Sequence, residues 1–102
     1  MKKYYVYIVE CADESYYTGI TNNHKRRLDE HNSGKDEKSY TFTRRPVKLV
    51  HLEEFKYVLD AIAREKQLKG WSRAKKKALI DSRKQDLEFY SKRSTEQKHI
   101  LR

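Results

Sequence analysis

Cysteine is nearly absent from this 102-residue chain. Cys11 stands alone, so no disulfide can form within the chain, and no CxxC or histidine-rich spacing offers a zinc site. A reducing setting, the cytoplasm, is the expectation. Proline occurs once and glycine three times, too few for a flexible linker between domains. Long apolar runs are missing too. Met1-Lys2-Lys3 and the apolar stretch that follows mimic a signal peptide only until Glu10 ends the run. Nothing approaches the ~20 apolar residues of a membrane helix. A single soluble domain with no membrane partner is therefore expected.

Acidic residues are scarce in the last third. Lys and Arg exceed Asp and Glu by 24 to 15, a net charge of +9. Residues 1–68 carry 13 basic against 11 acidic side chains, whereas residues 69–102 carry 11 against 4. A basic surface attracts phosphate and releases its counterions, so polyanions are natural partners. A solvated helical face explains the same charge equally well. Of the aromatics, 8 are Tyr, 3 Phe and 1 Trp, so many core contacts must be made by side chains with a polar tip.

Tyr4–Glu10 and Tyr16–Thr21 are rich in β-branched and aromatic residues, with Ala12-Asp13-Glu14-Ser15 between them. This predicts a β-hairpin. A turn centred near Ala12 sets Tyr7 roughly opposite Tyr17, with both hydroxyls on one sheet face. Asn22 or Asn23 can cap a helix through residues 24–31, ending near Gly34. Residues 34–45 are polar and read as a loop, closed by Pro46. Residues 47–55 alternate, with Val47, Leu49 and His51 set against Lys48, Val50 and Leu52, which predicts a third strand. From Tyr57 the period becomes helical, and Val58, Ala61, Ile62, Glu65 and Leu68 share a face. Gly70 ends that helix, and Ser72 can cap another bearing Lys75, Lys76 and Lys77. The expected architecture is α+β, a three-stranded antiparallel sheet flanked by helices, over residues 1–82. Residues 83–102 are expected to form a basic tail, helical or partly disordered.

Glu65 breaks the apolar stripe of its own helix, and a carboxylate there needs a cation or good hydrogen bonds. A metal ion meets that need. So does Lys69, four residues on in the favourable order. Arg27 and His31, also four apart, could hold a phosphate and handle a proton on one helical face, or could simply be solvated. The tyrosines could orient or deprotonate a water, although cross-strand tyrosines are more often sheet packing. Gly19 inside a strand suggests close approach of a backbone or ligand.

Val6-Tyr7-Ile8 and, eight residues on, Tyr17-Thr18-Gly19, followed by Arg27 ten residues and His31 fourteen residues after Tyr17, together resemble the GIY-YIG endonuclease motif set. Glu65, within Arg64-Glu65-Lys66-Gln67-Leu68, is similar to the glutamate with which that family binds metal. The resemblance spans roughly residues 4–80 and is closest to small stand-alone bacterial members. It implies that Glu65 holds one Mg²⁺ or Mn²⁺ ion, that Arg27 neutralises developing charge, that Tyr7 or Tyr17 activates water and that His31 assists as proton acceptor or donor. Three positions depart from the pattern. Val6 replaces the first glycine of the family's name, Ile20 stands where some members have lysine, and no Asn-Pro pair follows residues 74–80.

The function so implied is metal-dependent hydrolysis of phosphodiester bonds in DNA, with repair or recombination as its setting and RNA left open as a substrate. Arg44, Arg45, Lys75, Lys76 and Lys77 are the candidate phosphate contacts; such contacts position a duplex without reading its sequence. The alternative is a non-catalytic nucleic-acid-binding module of the same fold. Oligomeric state stays open.

Overall fold

A computed structural model of the protein describes residues 2–84. The expected tail lies almost wholly outside them. Among these residues the architecture is the three-stranded antiparallel sheet with three α-helices. Its strands are β1 (Tyr4–Glu10), β2 (Tyr16–Thr21) and β3 (Lys48–Phe55), in the order β2-β1-β3. Its helices are α1 (His24–Ser33), α2 (Val58–Lys69) and α3 (Arg73–Ser82).

The β1–β2 connection is held by its own polar atoms. Cys11 N–H donates to the Ser15 carbonyl at 2.8 Å, and Asp13 accepts from both the backbone and the hydroxyl of Ser15. The resulting register puts Tyr7 opposite Gly19 and Val9 opposite Tyr17. The tyrosines are therefore diagonal neighbours on one face, two residues out of the direct opposition expected from a turn at Ala12. Gly19 explains itself here. A Cβ at that position would overlap the Tyr7 hydroxyl and ring, so the glycine lets the phenol lie flat across β2.

The pattern expected for β3 also shifts. Between Ile8 and Val9 the β1–β3 register slips by one residue, from His51 to Leu49. A bulge of this kind reverses the inward and outward phase of the bulged strand. Leu52 consequently joins Val47 and Leu49 on the face carrying Tyr7 and Val9, while Val50 and Phe55 lie on the other.

Each face of the sheet is covered. Val6 and Ile8 pack with Ala61, Leu68 and Ile80 of α2 and α3; burying one such leucine stabilises the fold by ~2 kcal/mol. On the opposite face Tyr7, Val9, Val47 and Leu52 meet Leu28 of α1. Asn23 caps α1, its side chain accepting from Arg26 N–H at 3.0 Å, and Gly34 ends the helix at φ 73°, a left-handed angle that glycine adopts without penalty. Ser72 caps α3 through Lys75 N–H. Only part of the predicted apolar face of α2 is buried: Ala61 and Leu68 are enclosed, whereas Val58 is exposed. Gly70 follows α2 as expected.

Candidate active site

β1, β2 and α1 bring four of the five candidate residues into direct contact. The Tyr7 hydroxyl lies 2.8 Å from His31 Nε2, and Arg27 Nε donates to it at 3.4 Å. Tyr17 packs edge-on against the His31 ring at 5.2 Å between centroids and lies 6.3 Å from the Tyr7 ring. Helical spacing makes this possible: Arg27 and His31 lie one turn apart on α1, and Leu28 packs that helix on the tyrosine face of the sheet.

Burial sets the protonation of the cluster. Tyr7 is 3% exposed, and burial pushes its phenol up to about 12, more than the Arg27 hydrogen bond and charge draw it back. Burial pushes the His31 imidazole below its ordinary value, and the Arg27 charge pushes it further in the same direction. At neutral pH the pair is thus a neutral phenol against a neutral imidazole, a proton donor facing a proton acceptor. Burial works against the Arg27 charge, but hydrogen bonds to Tyr7 and to Glu30, the latter at 3.0 Å, more than compensate and hold the guanidinium protonated.

The fifth candidate, Glu65, lies on α2. That helix buries Ala61 and Leu68 and turns neighbouring polar residues in two directions. Arg64 points to β3, where it grips Glu53 with two hydrogen bonds at 2.8 and 2.9 Å. Glu65 lies 2.7 Å from Lys69 Nζ with its side chain 15% exposed. Lys69 is raised chiefly by its hydrogen bond to Glu65, with a smaller contribution from Tyr17. Of the two sequence readings of Glu65, the geometry shows the pairing with Lys69. Among the described residues no three His, Cys, Asp or Glu side chains group to hold a metal ion. A divalent ion such as Mg²⁺ is often held by one or two carboxylates, with water and substrate phosphate filling the remaining positions. Glu65, paired here with Lys69, is the carboxylate that could take that role.

The candidate phosphate contacts divide into two groups. Arg44 lies over the Tyr40 ring at 3.9 Å, donates to Asp13 at 3.1 Å, and borders the site because Tyr40 stacks on Tyr17. Arg45 folds over Phe42 and donates to its carbonyl at 2.7 Å. On α3, Lys75 lies over Trp71, Lys77 pairs with Asp81 at 3.1 Å, and Lys76, lowered mainly by burial, also feels Lys69. Tyr40 and Thr41 belong to the site although the polar loop gave no periodic signal for them: Thr41 Oγ1 lies 2.9 Å from His31 Nδ1.

The chain matches the family described as the GIY-YIG catalytic domain over residues 3–78, and it belongs to that nuclease family. Its relatives are UPF0213 proteins, small chains in which this domain is nearly the whole. That of Syntrophus aciditrophicus (strain SB) is 55% identical over 80 residues, covering 78% of this chain and 92% of the relative. That of Staphylococcus haemolyticus (strain JCSC1435) is 49% identical over 83 residues, covering 81% of this chain and 100% of the relative. The solution NMR structure of a UPF0213 protein from Bacillus halodurans superimposes with a TM-score of 0.56 at 39% identity, covering 88% of this chain and 95% of that one. No helix among the described residues is long and apolar enough to cross a membrane.

Proposed function

We propose that this protein is a metal-dependent endonuclease that hydrolyses phosphodiester bonds in DNA, acting in repair or recombination in the cytoplasm. The reading is carried by the Tyr7 hydroxyl, held 2.8 Å from a neutral His31 and 3.4 Å from Arg27. A phenol pushed up to about 12 is a poor base alone. In contact with an imidazole it can take a proton from an attacking water while giving its own to His31 Nε2. The water oxygen then bonds to phosphorus, the bond from phosphorus to the leaving oxygen breaks, and that oxygen is protonated by solvent.

Arg27 supplies fixed positive charge where the phosphorane develops negative charge. Glu65 is the residue to hold Mg²⁺ or Mn²⁺, and such an ion, when bound, polarises the phosphoryl oxygens. For Glu65 to hold the ion it would have to give up its 2.7 Å pairing with Lys69. Arg44 beside Tyr40, and Lys75, Lys76 and Lys77 on α3, are the groups that would contact the phosphate backbone.

A second reading has one observation behind it. The 2.7 Å Lys69–Glu65 pair also suits a module that binds nucleic acid without cutting it. Supercoiled plasmid and branched DNA, incubated with Mg²⁺, Mn²⁺ or chelator, separate the two. The wild type is expected to cut with metal and to stop with chelator, and Glu65→Gln and Arg27→Ala each to lose roughly 100- to 1,000-fold in rate. Cutting that survives Glu65→Gln overturns the assignment. Binding without cutting, weakened steeply by salt, supports the second reading.

A further inference from the structure

Four polar side chains stand in file from Tyr7 on the sheet to the loop that follows α1. The Tyr7 hydroxyl is 2.8 Å from His31 Nε2, His31 Nδ1 is 2.9 Å from Thr41 Oγ1, and Thr41 Oγ1 is 3.1 Å from Ser39 Oγ. Tyr7, His31 and Thr41 are 3%, 5% and 0% exposed. Ser39 is half-buried, so the file leads outward.

Each hydroxyl carries one proton and the neutral imidazole carries one, so the file can be wired in two directions. In the first, Thr41 donates to Nδ1 and His31 donates from Nε2 to the Tyr7 oxygen. That oxygen already faces the N–H of Arg27 Nε. It would receive two N–H groups, and its own proton, in a nearly enclosed phenol, would have no protein acceptor among the described residues. In the second direction, Tyr7 donates to Nε2, His31 donates from Nδ1 to Thr41, Thr41 donates to Ser39, and Ser39 reaches solvent. Every buried proton then has an acceptor, and the Tyr7 oxygen keeps a lone pair free beside Arg27.

Thr41 is built to hold that direction. It is fully enclosed, and its carbonyl accepts Arg44 N–H at 3.0 Å at the start of the 3-10 turn Phe42–Arg44. Arg44 in turn donates to the Tyr40 carbonyl at 2.7 Å and to Asp13. The hydroxyl is therefore fixed opposite Nδ1 by the fold of the loop, independently of the histidine.

We propose that Thr41 is a positioning residue: by accepting the Nδ1–H of His31 it fixes the imidazole in the Nδ1–H tautomer and keeps the Nε2 lone pair on the Tyr7 hydroxyl. Its consequence for cutting rests on the nuclease reading above, but the tautomer itself does not. The partner of a reacting imidazole decides which nitrogen carries the proton, and losing such a partner commonly lowers activity without touching substrate.

Long-range ¹H–¹⁵N spectra of the full chain at pH 7.5 test it directly. His31 is expected to show a protonated Nδ1 and an unprotonated Nε2. In Thr41→Val the Nδ1–H population should fall and cutting should drop about tenfold in kcat with little change in KM. Thr41→Ser should restore both. A wild-type His31 protonated on Nε2 overturns the proposal, as does a folded Thr41→Val with an unchanged tautomer. Should Thr41→Val fail to fold, the wild-type spectrum still decides. A wild type with the expected tautomer that never cuts DNA refutes the nuclease reading and leaves the assignment of Thr41 standing.

Discussion

Two buried polar clusters sit on opposite faces of one sheet, and they are built to opposite ends. On the α1 face, Tyr7 and His31 meet as neutral partners at 2.8 Å beside the Arg27 guanidinium. On the α2 face, Glu53 receives His51 Nε2 at 2.7 Å and a two-pronged hydrogen bond from Arg64. Burial would raise the Glu53 carboxyl, but the hydrogen bonds from His51 and Arg64 together hold it down at about 2. The Glu53 cluster is a fully paired charge that resists proton transfer, and it pins α2 to β3. The Tyr7 cluster instead sets a neutral proton donor against a neutral acceptor. Both clusters are paired, but one between neutral partners and the other between opposite charges.

The largest expected effects come from exchanging these roles. Glu53→Gln leaves Arg64 without its counter-charge, and breaking such a pair should cost about 3 kcal/mol of unfolding free energy. Cutting per folded molecule should fall far less. Tyr7→Phe should do the reverse, costing ~1 kcal/mol of stability for one lost hydrogen bond while lowering the cutting rate about 100-fold. Urea unfolding and single-turnover cleavage measured on both variants check the contrast. If Tyr7→Phe were the more destabilising and the less damaging to cutting, the division of labour would be wrong.

The sequence alone announces these clusters unequally, for a physical reason. Arg27 and His31 share a helix, and Tyr7 and Tyr17 belong to one hairpin, so short-range periodicity brings them to one place. Glu65 stands out because it interrupts an apolar stripe. The Glu53–Arg64 contact joins a strand to a helix eleven residues on, and its face depends on the slip at Ile8 and Val9, which no alternation pattern encodes. Thr41 meets His31 only through the path of a polar loop. The Tyr7–Gly19 pairing needed the actual turn, held by Asp13 and Ser15. What is local in the chain could be read, and what depends on register or loop path could not.

Acid separates the clusters again, with smaller effects. Glu53 is depressed from 4.5 to about 2. Its contribution is therefore complete above 4.5 and is lost as pH falls toward 2, a total of ~3 kcal/mol at 1.36 kcal/mol per unit. Glu53→Gln should flatten the stability curve in that window; a variant as acid-sensitive as the wild type would show that other carboxylates govern the transition.

The smallest effect on stability, and the one that most sharpens the contrast, belongs to His31. Its imidazole is lowered from 6.5 by burial and by Arg27. As pH falls below 6.5 the unfolded chain takes up the proton before the folded one, so folding weakens slightly from that point. Cutting should weaken much more, because an imidazolium has no lone pair to accept the Tyr7 proton. As pH falls below 6.5 and through the lowered His31 value, activity should therefore be lost, and above 4.5 the protein should stay folded because Glu53 remains ionised. Initial rates and thermal unfolding recorded together across this interval decide the matter. Activity that persists undiminished until the protein unfolds would show that the Tyr7–His31 pair does not carry the proton.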